Sequence, residues 1–195
     1  EKIINKGFIV VDLLLEFDEL GNIKDNYQIK GSVKDGRINL FKFYNLNKID
    51  FIFEYEDKNF KFNNAKLLLN NKNLKIPELI VSKRDNDYLI SGKLNNQNIK
   101  LNKDEVKDFI RNKILDLDIQ EIAFSSQNDF RLTINKKLKI KNININSNIE
   151  FNNLKLKNDL KLKRVFPKIK KEISFKNQKL KVKYKKNNLK IVGEG

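Results

Sequence analysis

The chain has 195 residues, a formal charge of +16 and a hydrophobic fraction of 39%. That length fits one domain, and that apolar content lies above the disordered regime. It contains no Cys, His, Met or Trp, which removes disulfides, thiolate–imidazole metal sites and any nucleophile–histidine pair.

Large apolar and polar residues alternate one for one along most of the chain, which is the period of a strand with one dry and one wet face. Phe8–Phe17 reads as the first strand, closed by Glu19-Leu20-Gly21-Asn22. Tyr27–Val33 and Ile38–Phe43 read as a hairpin around Asp35-Gly36, a two-residue turn signal. Ile49–Tyr55 alternates, with Ile49, Phe51, Phe53 and Tyr55 on one side. Asp57-Lys58-Asn59 then turns the chain into Phe60–Leu69, and Asn70–Asn73 into Leu74–Val81, where Pro77 marks an edge or a bulge. Tyr88–Leu94 ends this first series before a turn at Asn95–Asn98.

One helix is expected over 102–117. Val106, Phe109, Ile110 and Ile114 recur at helical spacing, and Asn102 or Asp104 supplies the N-cap. A second strand series follows: Ile119–Phe124, Phe130–Ile134, Leu138–Ile149, Phe151–Leu156, Leu160–Val165, Ile173–Phe175, Leu180–Tyr184 and Leu189–Val192. Its turns are expected at Ser125–Asp129, Asn152-Asn153 and Lys186–Asn188, and Pro167 interrupts it. Three strand ends read Ile-x-Gly, at Gly31, Gly92 and Gly193, where a glycine lets a strand bend or bulge. Charge divides along the same line: residues 131–195 hold 20 Lys and Arg against 4 Asp and Glu, whereas 1–130 balance. The chain is thus mostly β, a long curved antiparallel meander forming an open groove with one short amphipathic helix. It is one fragment, with a first series over 1–101, the helix, and a second, strongly basic series over 118–195.

The functional question is what covers the dry face. A helix of a dozen residues covers about 18 Å, whereas a dozen or more strands spread over about 60 Å. The sheet therefore closes on itself as a sandwich or barrel, pairs with another chain, or stays open with apolar matter on its floor. The isolated helix, the lack of Trp and the small number of small residues favour the open trough. The floor candidates are Leu13, Leu15, Phe17, Phe51, Phe53, Tyr55, Phe60, Phe62, Ile143, Ile145, Leu154, Leu156, Leu180 and Val182. Lys155, Lys157, Lys181 and Lys183 alternate with them and belong on the outer wall. Lys136, Lys137, Lys185 and Lys186 lie in turns, where they would meet phosphate head groups at the rim. Replacing Phe53 by Asp is expected to abolish lipid uptake with the sheet intact.

The run Gly31-Ser32-Val33-Lys34-Asp35-Gly36-Arg37-Ile38, then Ile49–Tyr55, Phe60–Leu69 with Asn64-Ala65, Leu74–Val81 and Tyr88-Leu89-Ile90-Ser91-Gly92, resembles the AsmA-like superfamily, in its YhdP and TamB branch. The stretch from Phe166-Pro167 to Gly193-Glu194-Gly195 is similar to the later part of those repeats. The resemblance covers most of the chain through strand rhythm and a few Gly and Asn positions, with no catalytic signature. It implies a segment of a bridge-like protein that carries phospholipid between membranes: a repeating β-groove, periplasmic, held in the inner membrane by an N-terminal anchor and continued by further repeats of the same chain. With Glu at position 1 and no Met, the chain is expected to be a piece of a longer product whose anchor lies upstream. No cofactor is implied.

Three other classes are weighed. A closed β-sandwich would have a structural or envelope-assembly role. A basic β module could bind nucleic acid, since Phe166, Phe175 and Tyr184 lie in the cationic third; its Lys residues alternate with aliphatics and no recognition motif is present, so no specific nucleic acid is expected. Enzyme activity has the least support: Asp116 with Asp118 and Asp85 with Asp87 are paired acids in polar segments, where solvation is the simpler role.

Overall fold

The computed structural model describes residues 4–40, 44–109, 118–137, 139–157, 168 and 172–194. Eleven strands and one helix follow in order: β1 (Ile4–Leu14), β2 (Gln28–Leu40), β3 (Tyr44–Glu56), β4 (Asn59–Leu69), β5 (Lys72–Arg84), β6 (Asp87–Asn102), α1 (Lys103–Phe109), β7 (Asp118–Asn135), β8 (Ile140–Lys157), β9 (Glu172–Phe175), β10 (Gln178–Lys185) and β11 (Asn188–Glu194). All strands join one antiparallel sheet in chain order, with β9 and β10 both pairing β8. The sheet is not closed, and among the described residues β1 and β11 end its strand order. Each strand packs against its sheet neighbours, and α1 against β6 and β7. No second layer stands over the sheet among the described residues, so the sandwich is not the architecture of this chain.

The strands are longer and fewer than their sequence pattern suggests. Asp35-Gly36 is not a hairpin: β2 runs through it, and the register with β3 shifts between Val33 and Ile38. Asn95–Asn98 is likewise a register shift inside β6, between Asn96 and Ile99. Ser125–Asp129 lies within β7, and Asn152-Asn153 within β8, where the register shifts between Ala123 and Phe124. Each position carries turn chemistry; Asp35-Gly36, Asn95–Asn98 and Asn152-Asn153 use it for a bulge, whereas Ser125–Asp129 continues in regular register. Asp35 and Asn98 have φ of 48°, a left-handed conformation that short polar residues tolerate. Their amides are satisfied by side chains across the bulge: Asp35 N–H donates to Asp50 Oδ1 at 2.9 Å and Asn98 N–H to Ser125 Oγ at 2.9 Å.

The hairpins that do form take the same residues in pairs. Asp57-Lys58, Asn70-Asn71 and Lys186-Asn187 have positive φ at both positions, as the tight turns matching strand twist require. Pro77 sits within the one irregular stretch of the β5–β6 register, between Lys75 and Leu79; it marks a bulge in an interior strand. The first strand ends at Leu14, and its expected closing turn forms, with Gly21 N–H donating to Asp18 O at 3.0 Å.

Within the expected helix 102–117, α1 spans Lys103–Phe109, and 110–117 lie outside the described residues. Asn102 is the cap. Its Oδ1 accepts from the amides of Asp104 and Glu105 at 3.1 and 3.0 Å, while Glu105 Oε2 accepts from Asn102 N–H at 2.9 Å, a capping box. Val106 turns down to join Ile99 and Leu101 in a small core, with Leu74, Ile119, Ile122 and Phe124 against it. The candidate strand Leu160–Val165 and Pro167 lie outside the described residues.

Candidate functional site

Directly opposed residues share a face of the sheet, so the registers trace each face strand by strand. One row crosses all ten strand positions: Val11, Gly31, Phe53, Phe62, Leu79, Gly92, Phe130, Ile145, Tyr184, Leu189. A second runs Leu13, Ile29, Tyr55, Phe60, Val81, Ile90, Leu132, Ile143. No charged side chain enters either row. Between them, on the other side, runs Asp12, Lys30, Glu54, Lys61, Ile80, Ser91, Arg131, Asn144, Lys185, Asn188. Over these rows the sheet therefore has one apolar face and one polar face.

Rings concentrate on β3 and β4. Tyr55 packs against Phe60 at 4.6 Å between centroids, Phe51 meets Phe62 edge-on at 5.5 Å, and Tyr27 stacks on Tyr55 at 5.4 Å; such contacts add to area burial. The Tyr27 hydroxyl beside it pushes the Tyr55 phenol pKa up, with desolvation adding to the shift. Phe53 reaches 9% exposure because its ring lies over Gly31, where a Cβ would stand 2.6 Å from Phe53 Cζ. Gly31 thus makes room for a neighbour in regular register. Gly92, opposite Phe130, flanks the β5 irregularity.

Of the floor candidates, Leu13, Phe51, Phe53, Tyr55, Phe60, Phe62, Ile143, Ile145, Leu180 and Val182 come together on the apolar face through these registers. Leu154 and Leu156 face Ile122 and Ile119 and so belong to a second apolar field beneath α1. Leu15 and Phe17 lie past the end of β1; Phe17 bridges to Ile23 in the β1–β2 connection. A polar strip separates the two fields on β6 and β7. Asn96 Nδ2 donates to Ser126 Oγ at 2.6 Å, and Asn128 Nδ2 to Ser126 Oγ and Leu94 O at 2.8 Å each, with Asn96 and Ser126 buried. The alternation around these residues gave no sign of it, because Asn and Ser occur on both faces of neighbouring strands.

Lys155, Lys157, Lys181 and Lys183 are exposed on the polar face, Lys155 paired with Glu121 at 2.7 Å. Phe175 and Tyr184 sit opposite Leu154 and Ile145, on the other side from these lysines. Among the described residues of the basic third, these cations and rings thus lie on different faces, whereas a single-strand binder presents charge and stacking together; Phe166 lies outside the described residues. Lys136 and Lys137 occupy the β7–β8 turn, and Lys185 and Lys186 the end and turn of β10. Both turns lie at the end of the sheet away from α1, since Lys185 faces Asn144 near the start of β8. Each is fixed by a side chain: Asn135 Oδ1 accepts from the amides of Lys137 and Lys139 at 3.0 Å, and Tyr184 Oη donates to Asn187 Oδ1 at 3.1 Å.

The apolar face holds a hollow of about 350 Å³ at the β1–β3 corner, among Gly7, Ile9, Val33, Gly36, Ile49 and Phe51. Larger hollows, including one of about 660 Å³, are lined mainly by polar-face residues such as Asp50, Lys66, Lys75, Asn95 and Gln127. A hydrocarbon on the apolar face would lie along an open surface. Asp87 and Asp118 are paired with Lys141 at 2.7 Å and Lys103 at 2.9 Å, and Asp116 lies outside the described residues. No helix among the described residues is long and apolar enough to cross a membrane. Compared with known proteins, the chain matches no family model, no curated protein and no solved structure.

Proposed function

We propose that this chain binds acyl chains along the apolar face of its sheet and is a segment of a bridge-like carrier of phospholipid between membranes. The observation that carries this reading is the pair of uncharged rows running from β1 towards β11 with no second layer over them among the described residues. A contiguous apolar patch open to solvent marks a binding surface, and Val11, Leu13, Phe60 and Leu189 in these rows are exposed. Each methylene leaving water is worth about 0.8 kcal/mol, so a sixteen-carbon tail gains roughly 12 kcal/mol before entropy losses. A row of near-equivalent Phe, Leu, Ile and Val contacts holds a tail without fixing its position, as conduction requires. The turn lysines Lys136, Lys137, Lys185 and Lys186 would meet phosphate at one end of the sheet. The AsmA-like resemblance supports the same reading and adds the periplasm, the membrane anchor and further repeats, all of which are part of the proposal.

The test is lipid content. The purified chain should carry phospholipid detectable by mass spectrometry and, once stripped, should take up a fluorescent fatty acid and an apolar dye. Stripped protein that takes up neither while remaining folded refutes the reading.

A further inference from the structure

A hollow of about 660 Å³ lies in the interior of the sheet, across β3 to β7, and is lined mainly by polar-face residues. That volume is in the range of small-molecule sites. It opens where the bulges crowd together. The register shifts beside Asp50 on β3, between Lys75 and Leu79 on β5 and between Asn96 and Ile99 on β6. Bulges are common next to sites, where they re-aim a side chain. Lys48, which lines the hollow, holds φ of 49°, a conformation that Asn and Asp take more readily than Lys.

We propose that this hollow binds a phosphorylated sugar, with Lys66 and Lys75 on its phosphate and Asn95 and Gln127 on its hydroxyls. Charge asks for an anion there. Lys48, Lys66 and Lys75 line the hollow against one carboxylate, Asp50, a net charge of +2. A phosphate monoester carries about −1.5 to −2 at neutral pH. The cations are also badly placed for the sheet alone. Lys66 stands directly opposite Lys75, and like charges opposed across strands are destabilising. Asp50 faces Lys66 from β3, but its Oδ1 accepts from Asp35 N–H at 2.9 Å. Among the described residues none of the three lysines is held in an ion pair. An anion between the two ammonium groups relieves the repulsion and supplies the missing partner.

The same row continues in neutral amides. Lys75 faces Asn95, and Asn95 faces Gln127. An amide both donates and accepts, which suits a hydroxyl on either count. The site thus offers charge at one end and neutral hydrogen bonding at the other, as a sugar bearing one phosphate requires. Lys66 and Lys75 point to the opposite side of the sheet from their chain neighbours Leu67 and Leu74. A ligand in the hollow is therefore separate from a tail on the apolar face. The inference does not rest on lipid binding, and either can fail alone.

Titration calorimetry of the whole chain at low ionic strength tests it with three probes: glucose 6-phosphate, inorganic phosphate and glucose. Glucose 6-phosphate should bind about tenfold more tightly than inorganic phosphate, through its added hydroxyl contacts. Glucose should give no heat at the same concentrations. Lys75→Gln should weaken glucose 6-phosphate about tenfold, the scale of one hydrogen bond to a charged group. The same change should raise the urea midpoint of the ligand-free protein, because the repulsion with Lys66 is gone. Gln127→Ala should weaken glucose 6-phosphate about threefold and leave inorganic phosphate unchanged. Lys93→Gln, exposed on the polar face outside this hollow, should change neither. Glucose 6-phosphate that fails to bind, or binds no more tightly than inorganic phosphate, overturns the proposal. So does a Lys75→Gln chain that binds like wild type or unfolds at no higher urea concentration.

Discussion

Phe60 is where lipid binding separates from folding. Its ring contacts Tyr55 and Phe62, yet 39% of the residue remains exposed. Phe53 is 9% exposed and packs over Gly31. Truncating a buried Phe costs about 3–5 kcal/mol, so Phe53→Asp would break the sheet's own packing along with any lipid site. At Phe60 the exposed fraction of a ring that buries up to roughly 200 Å² is about 80 Å². Covering that area is worth about 2 kcal/mol at 25 cal/mol per Å², or close to thirtyfold in affinity. Asp in its place adds the desolvation of a carboxylate beneath the tail. Phe60→Asp should therefore weaken uptake of a fluorescent fatty acid at least thirtyfold while the far-ultraviolet dichroism stays that of a sheet. Lys61→Gln, one residue on and facing the other way, should leave uptake unchanged. A folded Phe60→Asp protein that binds as tightly as wild type would refute the apolar face as the lipid site.

Two further outcomes follow from the packing and the ion pairs. Gly31→Ala would set a Cβ 2.4 Å from Val10 O and 2.6 Å from Phe53 Cζ, so β1 or the ring must move; the overpacking cost of about 1–3 kcal/mol should appear as a lower urea midpoint, and an unchanged midpoint would count against the close approach. The Lys72 ammonium, 2.8 Å from Glu105, and the Lys103 ammonium, 2.9 Å from Asp118, hold both carboxyls below their ordinary values of 4.5 and 3.8. Because the folded pKa values lie below the unfolded ones, this stabilisation is complete above the ordinary values and is lost as pH falls through the lower, folded ones. Both pairs are partly exposed, so the effect is modest and weakened by salt. Amide exchange at Val106 should accelerate below about pH 4 before exchange on β4 or β5 does; equal acceleration everywhere would show that these pairs do not anchor α1.

Strand period was legible, and it set most of the candidate floor residues on one face of the sheet. Phe51, Phe53 and Tyr55, or Leu180 and Val182, each alternate with polar residues, and the face they share needs no tertiary information. The limit was reached at Leu15 and Phe17. They extend the period of β1, but Asp18 fixes a local turn by accepting from the amides of Leu20 and Asn22 at 2.9 and 2.8 Å, and the chain leaves the sheet before them. The strip of Asn96, Ser126 and Asn128 escaped for another reason: its hydrogen bonds join strands across 30 or more residues, a pairing that exists only once the register is set.

The turns were the main misreading, and at Asp35-Gly36 and Asn95–Asn98 the failure has one cause. A hairpin and a bulge both ask for a residue of positive φ, so Asp-Gly or Asn-rich segments signal either. What decides is the flanking alternation. At Asp57-Lys58 the chain reverses and β4 retraces β3 in register from Glu56–Asn59 outward. At Asp35 the apolar pattern resumes in the same direction, through Ile38 and Leu40, and β3 follows it past the shift. Such shifts recur on successive strands: near Gly7 on β1, Asp35 on β2, Lys48 on β3, Pro77 on β5, Asn98 on β6 and Asn152 on β8. On the far side of β8, β9 and β10 keep one common register and are separated only by Lys176 and by Asn177 at φ 52°. Each bulge adds local right-handed twist and bend. A band of them across the sheet lets strands of up to 18 residues curve together, where fifteen short strands with as many hairpins would have broken the apolar rows into pieces. The polar residues that read as interruptions of the sheet are thus what allow its dry face to run unbroken from β1 to β11.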